Sequence, residues 1–123
     1  MKRLLMAAAI LLLACSLGGK ASPTATTPVW VRSHNGSPVD VYLQCGHHDP
    51  TLLGSIPVRG SDGYQISPRQ RRCLEGLTFL VVVQEAARGY RVGPVNPTSG
   101  SSIQLVIEKY AGLSTAWVFD ETR

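Results

Sequence analysis

The chain is 123 residues long and carries 12 Lys and Arg against 8 Asp and Glu, a formal net charge of +4. Two of the positive charges, Lys2 and Arg3, stand at the extreme N-terminus, and from Cys15 onward the balance is ten against eight. A remainder so close to neutral excludes the electrostatic footprint of a nucleic-acid binder, and its length suits one domain with one core.

Lys2 and Arg3 are followed by an apolar stretch from Leu4 to Ala14. Eleven residues are too few to cross a bilayer core of about 30 Å as a helix, and a basic start before a short apolar run is the form of an export signal. The run ends in Leu12-Leu13-Ala14-Cys15. It resembles a bacterial lipobox, in which a small residue precedes a cysteine that is lipidated and becomes the new N-terminus. Leu13 departs from that pattern, where a small or β-branched residue is more usual. Ordinary secretory cleavage at Gly19-Lys20-Ala21 is the alternative. The signal is therefore expected to span 1–14, or 1–21. Residues 15–28 are small, polar and proline-containing, the composition of a flexible tether. Nothing later in the chain is long and apolar enough to be a membrane span.

From Val29 to Arg123 the pattern has period two, which predicts strands. Val29 and Val31 open the first, and the His34-Asn35-Gly36-Ser37 cluster is expected to turn the chain as a hairpin. Val39, Val41, Leu43 and Cys45 share one face of the second strand, with Asp40, Tyr42 and Gln44 on the other. Leu52 to Val58 reads as a third strand, which Pro57 confines to an edge or a strand end. Tyr64 to Ile66 is a short fourth. Leu77 to Val83 is continuously apolar and reads as the central strand, with Leu77, Phe79, Val81 and Val83 facing the core. Tyr90 to Val95 is interrupted by Gly93 and Pro94; Ile103, Leu105 and Ile107 alternate with Gln104, Val106 and Glu108; Ala116 to Phe119 adds a last strand. No segment has helical periodicity of useful length. Seven or eight short strands with Gly/Pro turns predict an all-β antiparallel sandwich of immunoglobulin-like or transthyretin-like layout.

Several of these segments together carry a resemblance. Val29-Trp30-Val31, Asn35, Val39-Asp40-Val41-Tyr42-Leu43, Leu53-Gly54-Ser55-Ile56, Tyr64-Gln65-Ile66 and the apolar strand from Leu77 resemble small exported bacterial β-sandwich proteins of unknown function, often lipoproteins. The shared elements are strand and turn residues, so the resemblance implies an architecture and no activity.

Three cysteines leave an odd thiol in an oxidising compartment. If Cys15 is lipidated or removed with the signal, Cys45 and Cys73 remain to pair. Their disulfide closes a loop of about 29 residues, worth roughly 3–4 kcal/mol on the chain-entropy model.

The remaining candidates for chemistry are sparse. Cys45-Gly46-His47-His48-Asp49 gathers thiol, imidazole and carboxylate. Such groups bind zinc or copper, with Cys73 or His34 as a further ligand, provided the thiols are free. A polar turn beside a structural disulfide explains the same residues. Arg69, Arg71 and Arg72 form the one dense positive patch, suited to phosphate headgroups or an acidic partner, although Glu75 dilutes it and no aromatic residue is interleaved. No nucleophile elbow, paired carboxylates or glycine-rich phosphate loop occurs, so neither catalysis nor a cofactor is expected. Finally, Leu80 and Val82, Val106, Trp30 and Trp117 alternate away from their inward neighbours. Clustered, they would make the exposed apolar patch that marks a binding site. The resulting expectation is an exported, lipid-anchored binding or structural module of the cell envelope. Its partners would be the membrane and an envelope protein, without nucleic acid. A metal-binding protein using His47, His48 and Asp49 is the alternative.

Overall fold

A computed structural model describes residues 25–120 as two four-stranded β-sheets packed face to face. The export signal, Cys15 and most of the expected tether lie outside the described residues. The strands are β1 (Thr27–Ser33), β2 (Val39–Cys45), β3 (Thr51–Ile56), β4 (Ser61–Ile66), β5 (Leu77–Val83), β6 (Arg88–Val95), β7 (Ser101–Ile107) and β8 (Thr115–Asp120). One helical turn, α1 (Pro68–Arg71), joins β4 to β5, and a 3₁₀ turn at Ala111–Leu113 precedes β8. β1 starts two residues earlier than Val29: Thr27 is fully buried and paired with Ile66. β3 ends at Ile56, leaving Pro57 and Val58 outside it, so the proline marks a strand end, and β3 also lies at a sheet edge.

The sheets are ordered β4-β1-β7-β8 and β3-β2-β5-β6. Every pairing is antiparallel except β1 with β7. An immunoglobulin sandwich sets its first two strands side by side. Here β1 and β2 belong to opposite sheets, which leaves the transthyretin-like layout of the two anticipated. Alternation supplies the core. Val29 and Val31 of β1, Val39, Val41 and Leu43 of β2, Leu77, Phe79 and Val81 of β5, and Ile103, Leu105 and Ile107 of β7 all point between the sheets and are buried. Each such side chain contributes roughly 1.5–3 kcal/mol relative to exposure.

The Asn35-Gly36 pair does not make the expected hairpin. β1 and β2 are unpaired, and Gly36 has no positive φ, which a tight Asn-Gly hairpin needs. Instead Asn35 is buried at the corner where the chain changes sheets. Its Nδ2 donates to the carbonyls of Glu108 and Lys109 at 3.2 Å each, and its Oδ1 accepts from Ser37 N at 2.9 Å. Its own carbonyl accepts from Arg59 N. One side chain thus fastens the crossover to the end of β7.

At the opposite end of the sandwich Cys45 and Cys73 form a disulfide with a Cα–Cα distance of 5.7 Å. It ties the end of β2 to the segment that returns from the other sheet. That segment is ordered by α1 and its capping box. Ser67 Oγ accepts from Gln70 N, Gln70 Oε1 accepts from Ser67 N, and Pro68 fills the first helical turn. A structural disulfide belongs to oxidising, extracytoplasmic compartments. Among the described residues no helix is long and apolar enough to cross a membrane.

Tyr64 packs between the sheets on the β4 edge, with its ring against Gly54 of β3. Its hydroxyl is buried without a hydrogen-bond partner. Burial first, and the charge of Asp62 second, push its pKa up to about 12. Asp62 acts through its charge more than through a hydrogen bond, since its Oδ1 accepts from Gly63 N at 2.8 Å and Tyr64 Oη has no partner in bonding geometry.

Three outcomes follow for folding. Replacing both Cys45 and Cys73 by Ser should lower unfolding stability by roughly 3–4 kcal/mol, read as a lower denaturant midpoint; an unchanged midpoint would show that the bond does not constrain the chain. Asn35→Ala should cost about 1–3 kcal/mol, because it strands buried backbone groups, whereas Gly36→Ala, with nothing within 4 Å of a new Cβ, should cost little. Tyr64 ionises less readily folded than unfolded, so its contribution to stability is fully present below pH 10 and is lost as pH rises from 10 towards 12. Tyr64→Phe should flatten that alkaline decline in pH-dependent melts without loss at neutral pH.

Candidate binding face

The registers show which outward residues share a face. Trp30 of β1 stands opposite Gly63 of β4 on one side and Gln104 of β7 on the other, and Gln104 is paired in turn with Trp117 of β8. One row across the outer face of this sheet therefore reads Gly63, Trp30, Gln104, Trp117. The next row reads Ser61, Arg32, Val106, Thr115. Trp30 is 44% exposed and Trp117 46%. All residues of the two rows except Thr115, with Val31 and Asp62, line a shallow open trough of about 560 Å³ that crosses all four strands.

The pose of Trp30 has a local cause. Gly63 lacks a side chain, and the indole lies over it, so that a Cβ on Gly63 would come within 2.9 Å of the ring carbon Cζ3. Covering an edge-strand glycine with an aromatic from the neighbouring strand is a recurrent way to complete a sheet face. One side of the ring is thereby set against β4 while nearly half of the residue stays in solvent. At the far end of β7, Ser102 is paired with Phe119 and fully buried, its hydroxyl without a hydrogen-bond partner.

The expected apolar patch is divided. Trp30, Val106 and Trp117 come together here, but Leu80 and Val82 lie on the outer face of the other sheet. There Leu80 stands between Tyr42 and Arg91, and Val82 between Asp40 and Gly89. Both are half-buried, with Leu80 leaning over Gly89. Alternation tells which side of its own sheet a residue faces; it does not tell which sheet the strand joins. Gln104, Arg32 and Gly63 complete the face and were not singled out in the sequence, because only the sheet order brings them beside the tryptophans.

The other candidates are dispersed. Cys45 and Cys73 are bonded to each other and are lost as metal ligands. His47, His48 and Asp49 are exposed in the β2–β3 turn, which Gln44 Nε2 fastens by donating to His48 O at 2.9 Å. His34 sits at the other end of the sandwich, after β1. Among the described residues no three His, Cys, Asp or Glu are grouped to hold a metal ion. The arginines do not act as a trio either. Arg69 and Arg72 are exposed, but Arg71 turns inward, donating from Nη1 to Ala25 O at 2.8 Å and Thr27 Oγ1 at 3.1 Å. It fastens the start of β1 instead of offering its charge to a ligand.

No protein-family model and no curated protein matches the chain. Among solved structures it is similar to one described as the NMR structure of the protein from Eubacterium rectale. The TM-score is 0.45 at 11% identity, with 79% of this chain and 89% of that one covered.

Proposed function

We propose that this protein is an exported, lipid-anchored binding module of the cell envelope, acting through the outer face of the β4-β1-β7-β8 sheet and performing no catalysis. The observation that carries the reading is the placement of Trp30 and Trp117, each nearly half exposed, in one row of one sheet. Two large aromatics left in water on the same face lose burial energy that a partner restores. Export is supported by the basic-then-apolar start of the chain and by the disulfide. Anchorage is supported by the resemblance of Leu12-Leu13-Ala14-Cys15 to a lipobox.

The intact mass of the protein from its native envelope is expected to begin at Cys15 with added acyl groups. A mass beginning near Ser22 removes the anchor and keeps export, and a mass beginning at Met1 removes both. Hydroxyl-radical footprinting tests the face. Trp30 and Trp117 should oxidise readily in the purified protein and be protected in intact envelopes, while exposed Leu74 and Tyr110 oxidise equally in both. Equal oxidation of the tryptophans in both preparations would end the binding-face reading.

A further inference from the structure

We infer that the trough is a saccharide site, in which pyranose rings lie across the sheet on Trp30 and Trp117 while Gln104 and Arg32 hydrogen-bond their hydroxyls. This rests on the binding-face reading above and names its ligand class. The first support is the pose of Trp30. Its indole is laid over Gly63, which holds it in place before any ligand arrives, and preorganisation of that kind reduces the ordering cost of binding. The second is spacing. Trp30 and Trp117 are separated by the single strand β7, so their Cα atoms are about 9.6 Å apart, twice the inter-strand distance. With the Trp30 ring displaced further towards β4, the two indoles span a length that suits a ligand of several sugar units and not a single ring.

The third support is what lies between them. A sugar ring has an apolar C–H face and a hydroxylated rim. Its C–H groups meet the electron-rich face of an indole, and its hydroxyls need both donors and acceptors. The Gln104 amide supplies both, and Arg32 adds donors. Other occupants fit less well. The buried centre of a protein interface is contiguous and depleted in charge, whereas here an amide separates the tryptophans and Arg32 adjoins them. A nucleic acid would require a basic stripe, and among the described residues Arg32 is the one cation lining this trough, offset by the carboxylate of Asp62. With so little charge at the site, the expected ligand is a neutral glycan.

The chain contains two tryptophans, and both are on this face, so tryptophan emission reports on the site alone. The full chain would be titrated with cellohexaose, maltohexaose, chitohexaose and muramidase-released peptidoglycan strands, with retention measured in parallel by affinity electrophoresis. At least one should change the emission saturably. Trp30→Ala and Trp117→Ala should each weaken retention about tenfold or more, a hot-spot loss. Gly63→Ala, which displaces the Trp30 ring without removing it, should weaken retention severalfold, and Leu80→Ala on the opposite face should leave it unchanged. Thermal melts of each variant separate lost binding from lost folding. Binding of chitohexaose or peptidoglycan strands would identify a cell-wall amino-sugar polymer, and binding of cellohexaose or maltohexaose an external glucan. If no sugar changes emission or mobility at millimolar concentration, or if binding survives both tryptophan substitutions, the saccharide assignment is overturned. In that case, protection of Trp30 and Trp117 in the envelope would show that the face still binds something else.

Discussion

The parallel ladder between β1 and β7 is the constraint on which the rest of this molecule depends. Parallel neighbours cannot be joined by a tight turn, so the chain leaves the sheet after β1 and comes back twice, first as β4 on one side of β1 and then as β7 on the other. Between these passes β2, β3, β5 and β6 form the second sheet, and the first change of sheet is made at the Asn35 corner. The parallel ladder also brings Trp30, near the start of the domain, and Trp117, near its end, into one row with Gln104 between them. The candidate site exists only in the assembled sheet; no local segment contains it.

Two sets of contacts hold the crossovers at the ends of the sandwich. At one end the Asn35 carboxamide satisfies carbonyls at the end of β7 and fixes the change of sheet. At the other, the Cys45–Cys73 disulfide, the capped turn α1 and Arg71 bind the return path to β2 and to the start of β1. Polar groups at these corners are paired with backbone, in keeping with the rule that buried backbone groups seldom go unsatisfied. The faces between the corners are then free to carry residues chosen for something other than folding.

Much of the architecture was legible in the sequence because a half-buried strand writes its two faces in alternation. Val39, Val41 and Leu43, or Ile103, Leu105 and Ile107, identify themselves that way, and the apolar run from Leu77 proved to be an interior strand. Cys45 and Cys73 were legible as a pair by elimination of Cys15. Asn35-Gly36 carries a hairpin signal in sequence, yet the same dipeptide serves here as a sheet-changing corner, where the asparagine side chain matters and the glycine conformation does not. The face was half legible. Trp30, Val106 and Trp117 were recognised as outward, but grouping them with Leu80 and Val82 required knowing strand order, which is a non-local property. Gln104 and Arg32 gave no signal, since a polar residue on the outward side of a strand is what any sheet contains.

The course of β1 bears on how the domain would carry a mechanical load. If the proposed anchor lay ahead of Thr27, its pull would enter along β1, while a ligand held on Trp117 would bear on β8, with β7 between the two. The hydrogen bonds that join β1 to β4 on one side and to β7 on the other lie across that direction. Tension along the strand therefore loads both ladders in shear, many bonds at once, where peeling from an edge would break them singly. A strand held in the middle of its sheet is the place from which such a domain can be pulled without being unzipped.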